Sequence, residues 1–320
     1  MKQALLFALL SLTLWADAHL FVYHRFGDAK HASTNVSLEI LKKQFDYFKT
    51  HNYEVIPLSK LNQALKDKKD IPDNWVVFCI DDSYKSFYKN GLALFKEYKY
   101  PFTLFVYIEA TDKGYGDFMT WEQIKDANKY GEIGLHSYGH KHMVSLTPQD
   151  MRKDTNKALS SFENHLGYAP KYYAYPFGEF DETLKEVITS YGFDLVLNQN
   201  VGAVSKQSPA HNLDRIALTG DVNLKYKLRI KYLDAQWYAP KSYPSNAKLN
   251  EIHVTMPSSI KKAELYVSGG GWEYIKIEKG VFKSTKTYPL KFKRTRVIIK
   301  HGNAYTSKII VKKIPQNKSE

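Results

Sequence analysis

The segment that most constrains this chain is Trp75-Val76-Val77-Phe78-Cys79-Ile80, an apolar run that stops at two adjacent carboxylates, Asp81 and Asp82. β-Branched and aromatic residues bounded by Pro72-Asp73-Asn74 and by Asp81-Asp82-Ser83 read as a buried strand. Asp81 and Asp82 then sit at its C-terminal end, which is where parallel α/β folds build their sites. Two touching carboxylates repel, so they call for a cation or a shared proton. The plainer alternative is a helix N-cap pair before Tyr84.

Two further strand ends follow the same pattern. Glu132-Ile133-Gly134-Leu135 runs into His136-Ser137-Tyr138-Gly139-His140, and Tyr172-Tyr173-Ala174-Tyr175 runs into Pro176-Phe177-Gly178, a forced tight turn. With 11 His in the chain, the four-residue spacing of His136 and His140 says little by itself. Its position at a strand end gives it weight.

Asp-Asp after an apolar strand, then His-Ser-x-x-His, then Pro-Phe-Gly, in that order, resembles the NodB-homology polysaccharide deacetylases, a carbohydrate esterase family. The resemblance runs from about His19 to about Gly220. It includes Phe21-Val22-Tyr23-His24 and Met119-Thr120-Trp121, a pattern similar to the subgroup that contains poly-N-acetylglucosamine deacetylases. It implies a distorted (β/α) barrel with fewer than eight regular strands. It also implies a divalent metal on Asp82, His136 and His140, with Asp81 as general base. The backbone N–H of Phe177 matches the position that helps hold the oxyanion. Nitrogen and carboxylate donors suit zinc, and cobalt, nickel or iron fit the same set. Such a metal activates water against an acetamide, a poor electrophile near neutral pH. A leaving amine needs a general acid. His211, His253 and His301 lack the late Leu-x-x-His context, and His24 matches the first-strand histidine of the subgroup.

The chain departs from the family pattern where Ser83 replaces a glycine and Ala174 replaces the arginine that orients the base. Ser83 must accept the backbone angle the glycine took. Arg215 is a candidate substitute arginine, with an ordinary ion pair to Asp214 as the alternative. The carboxylate that partners the acid histidine has no evident counterpart. His142 and His165 read as surface or supporting residues, Trp121 and Tyr138 as either groove-lining or packing residues, and Cys79 as a small buried hydrophobe.

Strands alternate with helices up to about residue 220, with Ser37, Thr120, Thr147-Pro148 and Asp181 as helix starts. After Gly220 short alternating strands at 226–233, 249–255, 263–268, 274–278, 288–292, 296–300 and 308–312, with a turn at Gly269-Gly270-Gly271, predict an all-β sandwich-like module. The expected division is a signal peptide over 1–18, a catalytic domain over 19–220 and an accessory module over 221–320. Met1-Lys2, the apolar stretch Ala4 to Trp15 and Ala16-Asp17-Ala18 fit a cleavable signal with the cut after Ala18, and the stretch is short for a bilayer. The protein is accordingly expected in the periplasm or outside the cell, with no membrane-spanning helix after cleavage. A single Cys excludes an intrachain disulfide.

From Asp221 to Glu320 the chain carries 21 Lys/Arg against 7 Asp/Glu, so the whole net charge of +13 resides there. That excess fits an anionic envelope polymer or a protein partner, or simply a solvated surface; a secreted chain argues against nucleic acid. The function expected is metal-dependent N-deacetylation of a polysaccharide with N-acetylated sugars. The alternatives are an O-acetyl esterase on the same site, or a carbohydrate-binding protein with a weak or inactive site.

Overall fold

The computed structural model describes residues 17–284 and 286–314, so the apolar start read as a signal peptide lies outside the described residues. Seven parallel strands form the first part: β1 (His19–Tyr23), β2 (Trp75–Asp81), β3 (Thr103–Val106), β4 (Glu132–Leu135), β5 (Tyr172–Ala174), β6 (Leu195–Leu197) and β7 (Ile216–Ala217). Their order is β7-β1-β2-β3-β4-β5-β6, with Glu54–Val55 added beside β2. The segment that enters β7 touches both edges. Leu213 bridges to Leu197 of β6, and Ile216 pairs with Phe21 of β1, so the sheet curls round on itself.

Helices follow the strands: α1 (Leu38–Thr50), α2 (Leu58–Lys66), α3 (Leu92–Tyr98), α4 (Ile108–Asp112), α5 (Trp121–Ala127), α6 (Pro148–Leu166) and α7 (Glu182–Thr189). The caps read from sequence are present. Ser37, Thr147 and Asp181 accept from the third amide beyond them, and Thr120 with Gln123 forms a reciprocal capping box.

Strand alternation decides what β2 does with its side chains. Val76, Phe78 and Ile80 face the helices, where Phe78 meets Phe45, Phe48 and Phe95 at ring distances of 5.3 to 5.7 Å. Val77 and Cys79 face the other way, into a core with Val22, Phe105, Ala174, Leu195 and Leu197. Asp81 continues that second row. The same period that packs the strand therefore carries a carboxylate to the inner end of the barrel, and Cys79 is a buried apolar residue there.

The remainder is β-rich. One sheet has the order β8 (Lys231–Tyr232), β15 (Ala304–Val311), β14 (Arg294–His301), β11 (Lys262–Val267), β12 (Trp272–Lys276). A second has β9 (Gln236–Ala239), β10 (Ile252–Thr255) and β13 (Val281–Ser284). Leu265, Val297 and Ile299 of the first share a core with Ile252, Val254 and Phe282 of the second.

The strand expected over 226–233 is corrected. Asn223 caps a short helix, α8 (Leu224–Lys227), and only Lys231–Tyr232 is extended. The reason is the four-residue spacing of Leu224 and Leu228, which turns both onto the barrel core.

The two parts are packed together. Ile298 and Tyr305 lie in the same apolar cluster as the barrel's phenylalanines. Val201 donates its N–H to Ser307 Oγ (2.7 Å), and His19 Nε2 meets the Ile230 carbonyl (2.9 Å). Asp17 accepts from the Tyr232 N–H (2.9 Å), and Ala18 exchanges two backbone hydrogen bonds with Val204.

Candidate active site

The three motifs converge because each lies just past the C-terminal end of a parallel strand: Asp82 after β2, His136 after β4, Phe177 after β5. Asp82 Oδ1 lies 3.3 Å from His136 Nε2 and 3.0 Å from His140 Nε2. The two imidazole nitrogens are 3.2 Å apart. His136 donates its Nδ1–H to the Ala174 carbonyl (2.7 Å), which leaves a lone pair on Nε2 pointing at the other donors. Three donor atoms drawn within 4.8 Å of one another, with Asp82 and His136 buried, make a set that could hold a metal ion. Such an ion would relieve the crowding of a carboxylate oxygen and two nitrogen lone pairs.

Holding these groups requires unusual backbone. Asp82 (φ 72°) and Ser83 (φ 55°) both sit in the left-handed region, so Ser83 does take a glycine-like angle. In the histidine loop Ser137 (φ 64°) and His140 (φ 45°) do likewise. Asp154 of α6 steadies that loop by accepting from the N–H groups of Tyr138 (2.8 Å) and Gly139 (2.9 Å). No sequence signal marked Asp154, because a helix carboxylate gives no hint of which distant loop it serves.

Asp81 is fully buried. Arg215 grips it with both terminal nitrogens, Nη1 to Oδ1 at 2.7 Å and Nη2 to Oδ2 at 2.9 Å, while Nε donates to the Asn198 carbonyl (2.7 Å). Burial pushes the Asp81 pKa up, but the Arg215 guanidinium, aided by His136, outweighs it and holds the carboxyl below its ordinary value. Of the two partners considered for Arg215, the geometry gives Asp81. Gln199 Nε2 lies 3.5 Å from Asp81 Oδ2, and the loop that brings it there passes so close to Gly178 that a Cβ would lie 2.3 Å from the Gln199 Cβ.

Asp214 turns the other way and accepts from Asn198 Nδ2 (3.0 Å). Burial raises its pKa to about 7. A carboxyl whose folded pKa lies above its unfolded value stabilises the fold fully only below the unfolded pKa, and that contribution is lost as pH rises towards the folded one. Asp214→Asn is therefore expected to gain stability over the wild type as pH rises from about 4 to about 7, and to hold the gain above that. We expect on the order of 1–2 kcal/mol, below the full linkage value because the residue keeps some contact with solvent. Urea denaturation at pH 5 and pH 8 reads the difference; an equal gap at both values would refute it.

His24 follows β1, and its Nδ1 is buried without a hydrogen-bond partner. Among the described residues no carboxylate engages that nitrogen. Phe177 has φ 58°, uncommon for an aromatic residue, and its ring lies 4.5 Å from that of His140. His142 stacks on the same ring (4.3 Å) and reaches Glu179 (2.7 Å). Trp121 is buried and stacked on His165 at 4.3 Å, a packing role, while Tyr138, largely buried, lines a surface cleft with Glu109, Lys141 and Lys157.

A family model described as polysaccharide deacetylase matches residues 68–196. The poly-beta-1,6-N-acetyl-D-glucosamine N-deacetylase of Staphylococcus aureus is 21% identical over 214 residues, 63% of this chain and 73% of that protein. The Escherichia coli protein of the same name is 19% identical over 236 residues, 60% of this chain, and only 34% of its own length is spanned. Among solved structures, IcaB from Ammonifex degensii superposes with a TM-score of 0.56 at 25% identity, over 64% of this chain and 92% of that one.

Proposed function

The chain belongs to the polysaccharide deacetylase family through its barrel, and from that premise we propose that it hydrolyses N-acetyl groups on an N-acetylated polysaccharide with Asp81, His24 and a metal on Asp82, His136 and His140. The observation that carries this reading is the pair of neighbouring aspartates with opposite attachments. Asp82 meets two imidazoles and Asp81 meets a buried guanidinium.

A divalent cation bound by Asp82, His136 and His140 supplies Lewis acidity to the acetamide carbonyl and acidifies water. Asp81 accepts the proton of the attacking water. Arg215 keeps Asp81 ionised and fixes its plane, which is the task of the arginine that Ala174 replaces. The N–H of Phe177 donates to the oxygen that becomes negative in the tetrahedral intermediate. The carbon–nitrogen bond then breaks as His24 gives a proton to the leaving amine. Acetate and a free amine on the sugar are the products. The donor set of two nitrogens and one carboxylate favours zinc.

The similarity to poly-beta-1,6-N-acetyl-D-glucosamine N-deacetylases favours a β-linked N-acetylglucosamine polymer outside the cytoplasm. Among the described residues no helix is long and apolar enough to cross a membrane. The basic region beyond residue 220 suits contact with an anionic envelope polymer or a protein partner. The product's ammonium groups would be repelled by it.

The test is acetate release from an N-acetylglucosamine oligomer, comparing metal-stripped protein with protein reloaded with zinc or cobalt. Release should fall to background on stripping and return on reloading. Release unaffected by stripping would overturn the reading. Release only from an O-acetylated polymer would replace the amide by an ester.

A further inference from the structure

We infer that Arg294, on strand β14 of the C-terminal region, is a positioning residue for the reaction: it locks the Pro176-Phe177-Gly178-Glu179 turn, so that the active site is completed from outside the barrel. This rests on the reading of Phe177 N–H as an oxyanion donor. The family match ends at residue 196, and Arg294 lies almost a hundred residues beyond it.

Arg294 Nη2 donates to the Phe177 carbonyl (2.8 Å), and its Nε lies 3.2 Å from Glu179 Oε1. Glu179 has no exposed side-chain surface, and its other oxygen, Oε2, lies 2.7 Å from His142 Nδ1. A buried carboxylate needs partners; here one is the next histidine after the putting-together of the metal set and the other comes from β14. The His142 ring stacks on Phe177 from one side and His140 approaches it at 4.5 Å. The turn is thus held by its carbonyl, by its following residue and by the contacts of the Phe177 ring with His142 and His140.

The geometry matters because Phe177 has positive φ. A non-glycine residue there carries backbone strain and stays only when its surroundings hold it. The Phe177 carbonyl belongs to the peptide immediately after the residue. Fixing that peptide anchors the Cα–C side of Phe177, so the N–H, on the preceding peptide, can turn only against a residue that is held on its far side. Local hydrogen bonds also shape the turn: Gly178 N–H, on the same peptide as the Phe177 carbonyl, donates to Tyr175 O (2.8 Å), and Glu179 N–H donates to Pro176 O (3.1 Å). Arg294 holds the oxygen at the opposite edge of that peptide.

The experiment uses the full chain as Arg294→Ala and Arg294→Lys, with thermal unfolding and metal content as controls. With Arg294→Ala, kcat for acetate release is expected to fall about 10- to 100-fold, at or below the loss typical of removing an oxyanion donor, with KM within about twofold and metal retained. Arg294→Lys keeps a cation beside Glu179 and should recover part of the loss; it also serves if the alanine variant does not fold. Amide hydrogen exchange over 175–180 should be faster in Arg294→Ala than in wild type, and this arm stands even if the wild type releases no acetate, so failure of the proposed reaction and failure of this inference are told apart. Wild-type kcat in Arg294→Ala, or unchanged exchange across the turn, would overturn the inference.

Discussion

Asp81→Asn is expected to lower kcat for acetate release by about 10²- to 10⁴-fold, the span over which a positioned general base contributes. The asparagine keeps the size of the side chain and an oxygen for one Arg215 nitrogen, but its amide cannot take a proton from water. The proposed metal donors Asp82, His136 and His140 are untouched, so metal content measured on the purified variant should equal that of the wild type. That combination separates loss of a base from loss of the site. Loss of the metal together with activity would mean that Asp81 holds the cluster together rather than moving a proton. Full activity in Asp81→Asn would place the base elsewhere.

Arg215→Met should have the second largest effect, and it is visible twice. The guanidinium and the Asp81 carboxylate are both fully buried, and breaking such a pair from one side costs on the order of 3–5 kcal/mol. In the wild type Arg215 outweighs burial and depresses the Asp81 pKa, so the pair's contribution is complete above the ordinary carboxylate range and is lost as pH falls through the depressed value. Without Arg215, burial acts with less opposition and the carboxyl holds its proton to higher pH. The acid limb of the kcat/KM profile should therefore move upward in pH, with a lower plateau and unchanged metal content. A profile of wild-type shape, merely scaled down, would assign Arg215 to the fold alone. Arg215→Lys should rescue little, because a single ammonium cannot meet both carboxylate oxygens at once.

What could be read from the sequence were features that a single segment carries. β2 was legible because one run combines β-branched residues, a single period and an abrupt polar end. The helix starts at Thr120, Thr147 and Asp181 were legible because capping is decided within four residues. Arg215 could be named as a candidate but not assigned, since its two possible partners, Asp81 and Asp214, differ in sequence distance and not in chemistry. The helix at Leu224–Lys227 was misread as strand because its four residues are too few for a period to stand out against flanking apolar positions. Asp154, Glu179 and Arg294 gave no signal at all. Asp154 and Arg294 act on backbone groups of a distant loop, and Glu179 meets the side chains of His142 and Arg294; a residue with such a task needs only to arrive there, whatever its neighbours in the chain.

The pairing of β8 with β15 joins the first and last strands of the C-terminal region, Lys231 beside Ala304 and Tyr232 beside Tyr305. That region can close only after nearly its whole length is in place, and the closure spans more than seventy residues. Contacts of such range form late, because the entropy of ordering the intervening chain is lost before they are made. The barrel closes over a longer span still, Phe21 beside Ile216. The site thus depends on two separate long-range closures, one that brings Arg215 to Asp81 and one in the sheet that carries Arg294 to Phe177.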